Sequence, residues 1–291
     1  MSVQVSYKKQ MVFGMLLLLI VIISFEGILR VYDNYNPNCK MTNSDVFSSI
    51  DNELKRSICL DNDRLRWNNS PYLHLEPNQH YTTIDINDDG FRGNEISLEK
   101  SSEVYRIFVI GGSTTFGVAS SSNISTIPGF LQEYYSTRTE LNVEVINAGI
   151  PKAFSYTESN YIKNKLLEYD PDLLIIYDGW NDLSRSSDTY YEDSGDSGLF
   201  SKMLRIMMKN PYYESGGILF KNYNVWRADT TDHVKLMNFE DIDQRVKLWK
   251  QTWIEICEQG KRENFDVIVT LQPLLGTGTK SLTEAEQKNH V

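Results

Sequence analysis

The sequence predicts an α/β fold with an open parallel sheet, preceded by one N-terminal membrane-spanning helix. Two short apolar runs, Val104 to Ile110 and Leu173 to Tyr177, each break directly into glycine and small polar residues. Central strands of a parallel sheet have this pattern where they enter a site loop. A third apolar run, close to the N-terminus, is long enough for a membrane helix.

The N-terminal run predicts a single-pass anchor. Met11 to Phe25 is apolar except for Gly14 and Ser24, and with the residues up to Leu29 it would span roughly 28 Å as a helix, close to the thickness of a bilayer core. Lys8 and Lys9 precede the run, and Glu26, Arg30 and Asp33 follow Phe25. The positive-inside rule therefore places the N-terminus in the cytoplasm and the body of the protein outside it.

Two alternatives to the anchor stay open. A cleaved signal peptide also has a basic start and an apolar centre, but no Ala-x-Ala-like cleavage site follows Phe25. A buried helix of a soluble domain is the second alternative, and the terminal position and unbroken apolarity of the run argue against it.

Composition limits the classes of partner. The chain has 291 residues, of which 41% are hydrophobic, and a net charge of -10. That charge disfavours nucleic acid, because phosphate binding needs clustered Lys and Arg. Three cysteines without Cys-x-x-Cys spacing predict no metal site, and no cofactor is predicted. Cys39 and Cys59 either form a disulfide outside the cell or stay unpaired, and Cys257 is interpreted as a core residue.

The chain is divided into three parts. Residues 1–32 are the cytoplasmic tip and anchor, 33–100 a stalk with a small appended element, and 101–291 the sheet domain with an insertion at 184–238. Within the appended element, the stretch from Asn87 to Gly93 has turn chemistry around Phe91. We favour a structural turn for this segment over a contact between Arg92 and substrate.

The segments beyond the second strand have different patterns. The insertion is longer than common connections and contains aromatic residues that would either stack on sugar rings or form a small core. Ser201 to Lys209 has a helical pattern within it. Phe239 to Gly260 is predicted as an amphipathic helix that ends at Gly260, and Phe265 to Leu271 as a fourth strand. The aromatic residues of the insertion are Tyr190, Tyr191, Tyr212, Tyr213, Tyr223 and Trp226.

Small polar residues follow three predicted strands and point to one site. Ser113 lies in a Gly-Gly-Ser-Thr-Thr turn after the first strand, Gly149 follows the strand that begins at Val143, and Asn181 follows Tyr177 in Gly-Trp-Asn-Asp. Loops at the carboxyl ends of parallel strands converge on one crevice. A serine in such a turn can act as a nucleophile, with the Ser113 amide, the Gly149 amide and the Asn181 side chain as oxyanion donors.

These motifs resemble three of the four blocks of the SGNH (GDSL-type) hydrolase family, from about Tyr105 to the C-terminus. The resemblance implies a three-layer α/β/α sandwich with a parallel flavodoxin-like sheet, and catalytic roles for Ser113, Gly149 and Asn181. Two positions depart from the family pattern. Gly112 stands where an Asp is common, as in a variant seen in membrane-anchored members, and Lys152 replaces a small residue.

The fourth block of the family, an Asp-x-x-His pair that supplies the general base, is not found in the sequence. None of the four histidines, at positions 74, 80, 233 and 290, has an Asp three residues before it. We therefore expect either that the catalytic His lies beyond Val291 in a longer protein or that the chain is inactive.

The sequence predicts a membrane-anchored serine esterase that removes an acyl group from an envelope glycan or lipid. The expected partners are this acylated substrate and the membrane, without nucleic acid. Two alternatives remain: an O-acyltransferase acting on envelope glycans, and a non-catalytic carbohydrate-binding protein. A nucleotide site is disfavoured, because the Ser113 turn lacks the Lys of a P-loop and the glycine spacing of a dinucleotide fold.

Overall fold

The computed structural model describes residues 6–35, 42, 45–68, 72–184, 242–273, 279 and 281–284. Contacts divide the chain into two compact units, one of residues 1–38 with 192–235 and one of 39–191 with 236–291. The predictions for the aromatic insertion, for the Ser201 to Lys209 helix and for Cys39 lie outside the described residues. The domain boundaries predicted at residues 32 and 100 stay predictions.

Helix α1 (Tyr7–Tyr35) is long and apolar enough to cross a membrane. Its candidate span, Tyr7–Ile28, has a mean hydropathy of 2.5 and no buried residues. A signal sequence passes the same test, so the helix establishes the possibility of a span and the orientation remains a prediction.

A small element of short pieces precedes the main sheet. Helix α2 begins behind Asp51, whose Oδ1 accepts a hydrogen bond from the Leu54 N–H at 2.9 Å. The buried Asp61 of α2 accepts from the Thr83 N–H at 2.7 Å and from the Thr83 hydroxyl at 2.8 Å. Helix α2 is not among the predicted elements, although Asp51 is a typical N-cap residue. The pieces are α2 (Asn52–Arg64) and two antiparallel pairs, β1 (Trp67–Asn68) with β2 (His74–Leu75) and β3 (Gln79–His80) with β4 (Asp85–Ile86).

The main sheet has four parallel strands in the order β6-β5-β7-β8. Each observed strand begins within one residue of its predicted start, and three of them extend further at the carboxyl end than predicted. The order places the first strand of the sheet between the second and the third, as in flavodoxin-like folds. The strands are β5 (Tyr105–Gly111), β6 (Val143–Gly149), β7 (Leu173–Asp178) and β8 (Asp266–Leu271).

Helices cover both faces of the sheet. Leu131 and Tyr135 of α4 pack on Ile107 and Val109, whereas α5 and α7 pack on the opposite face, which carries Phe108 and its neighbours. The predicted three-layer α/β/α architecture is therefore confirmed. The helices are α3 (Ser113–Phe116), α4 (Ile127–Arg138), α5 (Ser155–Asn164), α6 (Trp180–Ser184) and α7 (Ile242–Glu263), with a short 3-10 helix at Leu166–Tyr169.

The predicted end of α7 at Gly260 is wrong, because the helix continues to Glu263. The Gly260 carbonyl accepts a hydrogen bond from the Phe265 N–H at 3.0 Å, and a Cβ at position 260 would lie 2.5 Å from the Phe265 carbonyl oxygen. Gly260 is thus needed for a close approach of the backbone inside the helix. The left-handed residue that ends α7 is Asn264, at φ 64°.

Arg92 joins the small element to the sheet domain, and it is 3% exposed. Its Nε donates to Asn123 Oδ1 at 3.0 Å, and its Nη1 donates to the carbonyls of Phe116 and Gly117 at 3.0 and 2.8 Å. Its Nη2 donates to two further carbonyls, those of Thr83 at 2.8 Å and Ser122 at 3.3 Å. Five donors are the full capacity of a guanidinium. The structural interpretation of the Arg92 segment is confirmed.

Replacing Arg92 with Lys should destabilise the protein. A lysine keeps the positive charge but offers three donors from one point and cannot reproduce the guanidinium fork. We expect a loss of roughly 2–4 kcal/mol in the free energy of unfolding, measured by chemical denaturation. The matched control is Arg138→Lys at the exposed end of α4, which should change stability by less than about 0.5 kcal/mol. Equal effects of the two variants would contradict the role of Arg92.

Candidate active site

The three predicted motifs lie at one edge of the sheet. Gly111, the last residue of β5, pairs with Gly149 of β6 on one side and with Tyr177 of β7 on the other. The loops that leave these strands carry Ser113 and Asn181. This edge is the switch point of the strand order, between β5 and β7, where ligands bind in open α/β sheets.

Ser113 is the first residue of α3 and lines a cleft of about 620 Å³. The turn before it needs glycine, because a Cβ on Gly111 would lie 2.3 Å from both Thr115 Oγ1 and the Tyr177 carbonyl oxygen. The first N–H groups of a helix have no acceptor within the helix. Ser113 therefore combines a hydroxyl at the cleft with a backbone N–H in the first turn of α3.

The Asn181 side chain lies against the turn that carries Ser113. A Cβ built on Gly112 would be 2.5 Å from Asn181 Nδ2, so only glycine leaves room for the amide in this arrangement. Asn181 Nδ2 donates to the Ala153 carbonyl at 2.5 Å. A primary amide carries two N–H groups. The hydrogen bond from one of them to Ala153 fixes the orientation of the Asn181 amide.

The loop after β8 reaches the same edge. Gln272 Nε2 donates to Thr114 Oγ1 at 3.0 Å, next to the predicted nucleophile. The chain that leaves β8 therefore contacts the residue that follows Ser113. The prediction of a fourth strand did not include this contact.

Gly149 has a packing role in the structure. A Cβ at this position would lie 2.3 Å from the Phe116 nitrogen, so glycine allows α3 to approach β6 closely. The Gly149 N–H donates to Asn147 Oδ1 at 3.1 Å. To donate to an oxyanion, the Gly149 N–H would first have to break its hydrogen bond to Asn147 Oδ1. In the following turn, Lys152 has left-handed backbone, at φ 71°, and its Nζ lies 5.4 Å from the centre of the Trp67 ring.

Neither described histidine contacts Ser113. His74 Nδ1 is 2.8 Å from the Tyr72 carbonyl oxygen, and His80 Nδ1 is 2.6 Å from Asp85 Oδ1, both within the small element. His233 and His290 lie outside the described residues. Among the described residues, the cleft beside Ser113 is lined by apolar side chains, hydroxyls and glycine, so a base for the serine would have to come from elsewhere.

A cluster of buried carboxyls that sequence analysis missed supports the Asn181 turn. Asp178 ends β7 and accepts from Trp249 Nε1 at 3.1 Å. Asp182 follows Asn181 and accepts from the Ser155 N–H at 3.1 Å and from the Ser155 hydroxyl. The two Asp carboxyls lie close enough to influence each other's pKa. The strand-end position of Asp178 and its spacing to Asp182 were the signals available in the sequence.

Burial keeps this cluster partly protonated. Burial, together with the charge of the nearby Asp182, raises the pKa of Asp178 to about 8. Burial also raises the pKa of Asp182. The pKa of Glu158 on α5 lies well above its usual value because of burial, with added repulsion from both Asp carboxylates. Both Glu158 carboxyl oxygens are buried without a hydrogen-bond partner among the described residues.

Stability should therefore fall as the pH rises through the pKa of Asp178. Because the folded-state pKa lies above the unfolded one, Asp178 contributes stability that is complete below pH about 4 and is lost as the pH rises through about 8. In Asp178→Asn, the amide mimics the protonated carboxyl, so the fall in the thermal midpoint between these pH values should be smaller. Melting curves across this range measure the effect, at roughly 2–4 °C per kcal/mol.

The control for this prediction is Glu99→Gln, which removes an exposed carboxylate from the loop before β5. It should keep the wild-type dependence of the melting temperature on pH. An Asp178→Asn variant with that same dependence would show that the buried carboxyl is already ionised in the folded protein.

No protein-family model matches the chain, and no curated protein matches it. Several solved structures are similar to it. One is titled a gut microbial diltiazem-metabolizing enzyme, with 18% identity, a TM-score of 0.27 and coverage of 59% of this chain and 38% of that chain. This chain therefore spans less than half the length of that protein.

Two further similar structures are those of esterases. One is AlinE4, an SGNH-hydrolase family esterase, with 19% identity, a TM-score of 0.26 and coverage of 54% of this chain and 98% of that chain. The other is a mutant of an acetylxylan esterase from Geobacillus stearothermophilus, with 15% identity, a TM-score of 0.27 and coverage of 59% and 78%. The chain resembles SGNH-type hydrolases in its motifs and in their placement on the sheet.

Proposed function

We propose that the protein is a membrane-anchored serine esterase that hydrolyses an acyl ester on a cell-envelope glycan or lipid. One observation carries the proposal: Ser113 begins α3 at the carboxyl end of β5, and the Asn181 amide lies against the adjacent Gly112. In this proposal Ser113 is the nucleophile and Asn181 a side-chain donor, both at the switch point of a parallel sheet, where such sites form.

In the proposed reaction, Ser113 Oγ attacks the acyl carbon and forms a tetrahedral oxyanion. The Ser113 N–H and Asn181 Nδ2 donate hydrogen bonds to this oxyanion, each donor being worth about 10²- to 10³-fold in rate. Gly149 adds a third donor only if its N–H leaves Asn147 Oδ1. Collapse of the intermediate releases the alcohol, and water then attacks the acyl-serine to release the acid and restore Ser113.

The serine needs a base to take its proton, and we place that base outside the described residues. The contact between Gln272 and Thr114 supports this choice, because the chain that continues past Pro273 starts beside Ser113.

A carbohydrate-binding protein without turnover is the second candidate. The observation that favours it is the absence of a titratable side chain among the described residues that line the Ser113 cleft. Acyl transfer to a sugar hydroxyl would use the same acyl-serine and differ only in the acceptor.

Ser113→Ala should abolish ester hydrolysis while leaving the fold intact. We expect a loss of at least about 10³-fold in kcat for p-nitrophenyl butyrate, because no other hydroxyl replaces the nucleophile. The control is Ser120→Ala, which removes a hydroxyl from the same cleft and should keep activity within about twofold, since it makes no bond to the acyl group. Hydrolysis by wild type that survives Ser113→Ala would disprove the mechanism.

Asn181→Ala should lower kcat by about 10²- to 10³-fold and change KM little, because the oxyanion forms only in the transition state. Steady-state kinetics with the same ester give both constants. A melting temperature close to that of wild type is needed as a control, since Asn181 also bonds to Ala153. A rise in KM with unchanged kcat would assign Asn181 to ground-state binding.

A further inference from the structure

A second cavity lies beside the Asn181 turn and opens at the same edge of the sheet. It has a volume of about 350 Å³ and is lined by residues of α6, of α7 and of the end of β8. Gly179, Trp180 and Asp182, which flank Asn181 in the sequence, all line it. Both sequence neighbours of Asn181, the proposed oxyanion donor, therefore belong to the cavity wall.

The cavity is also connected to the nucleophile turn. Gln272 lines the cavity, and its Nε2 donates to the hydroxyl of Thr114, the residue that follows Ser113. Gln272 thus links the cavity to the turn that carries the nucleophile, and Leu271 lines the cavity next to it.

Apolar side chains dominate the accessible wall. Three of them are large and solvent-exposed: Trp180 at 41%, Val246 at 52% and Leu271 at 68%. Leu183, Trp249 and Pro273 complete the apolar lining. Clustered exposed apolar groups around a concave surface are typical of a site for an apolar ligand.

The polar groups of the wall bond to the protein. Asp182 accepts from the N–H and hydroxyl of Ser155, Trp249 Nε1 donates to Asp178, and Arg245 Nη1 donates to the Leu183 carbonyl. Arg245 is 3% exposed, so its charge is covered. A sugar ring would find few outward polar partners on this wall, whereas a hydrocarbon chain needs none.

We propose that this cavity binds the acyl chain of the substrate and that the esterase prefers an unbranched aliphatic acyl group longer than acetyl. The proposal deepens the esterase function and rests on it for turnover. The acyl carbon would lie at Ser113, its oxygen at Asn181, and the chain would run along Trp180 and Leu183 into the cavity. Each additional buried methylene would raise kcat/KM by about fourfold until the cavity is full, corresponding to about 0.8 kcal/mol.

The first test is a series of p-nitrophenyl esters from acetyl to octanoyl with the full chain in nanodiscs. Wild type should show a rising kcat/KM along the series. Val246→Trp fills the cavity from its exposed rim and should lower the ratio of octanoyl to acetyl kcat/KM by at least about tenfold. The matched control is Ile254→Trp, at a position of α7 that is 47% exposed and outside the cavity lining, and it should keep the wild-type ratio.

The second test separates the pocket from the chemistry. Octanoate binding to the Ser113→Ala variant is measured by titration calorimetry, with acetate as the comparison. The pocket is supported if Ser113→Ala binds octanoate more tightly than acetate, if Ser113→Ala/Val246→Trp loses this preference, and if Ser113→Ala/Ile254→Trp keeps it. This conclusion holds even if no ester is hydrolysed. Hydrolysis whose kcat/KM does not depend on chain length, with no octanoate preference in Ser113→Ala, would overturn the pocket and leave the esterase function standing.

Discussion

The Arg92 guanidinium is the interaction on which the rest of the site depends. It donates to the carbonyls of Phe116 and Gly117 at the carboxyl end of α3, and Asn147 Nδ2 donates to the same Phe116 carbonyl at 3.1 Å. A four-residue helix has almost no stability of its own. Arg92 and β6 therefore hold α3 from its carboxyl end, and Ser113 stands at the opposite end of that short helix, facing the cleft. Burial lowers the pKa of Arg92 to about 10, so the clamp stays charged at neutral pH.

The second support of the site is the pair of buried carboxyls next to the Asn181 turn. Asp178 and Asp182 carry Asn181 between them in sequence, and their buried carboxyls bind Trp249 on α7 and Ser155 on α5. The turn that carries Asn181 is thus tied to the two helices that cover this face of the sheet. Asp182 and Trp249 also line the apolar cavity, so the support of the Asn181 turn and the wall of the proposed acyl site share these two residues.

Much of the sheet could be predicted from sequence, because buried parallel strands are short apolar runs that break into glycine, as at Gly111 and Gly179. The long-range partners could not. Nothing near Gly149 in the sequence indicates that α3 packs on it, and Gly260 is a typical helix end whose role depends on residues that come later in the chain. Helix α2 was missed because its apolar face is small, and Glu158 because a single acid on a helix has no pattern that marks burial.

The most direct test of the central claim is to identify the residue that becomes covalently modified. The protein is incubated with a p-nitrophenyl phosphate triester, which transfers its phosphoryl group to an activated serine, and the digested peptides are analysed by mass spectrometry. We expect one adduct, on Ser113, and no adduct on any other peptide. An adduct on a different residue, or release of p-nitrophenol without an adduct on Ser113, would contradict it.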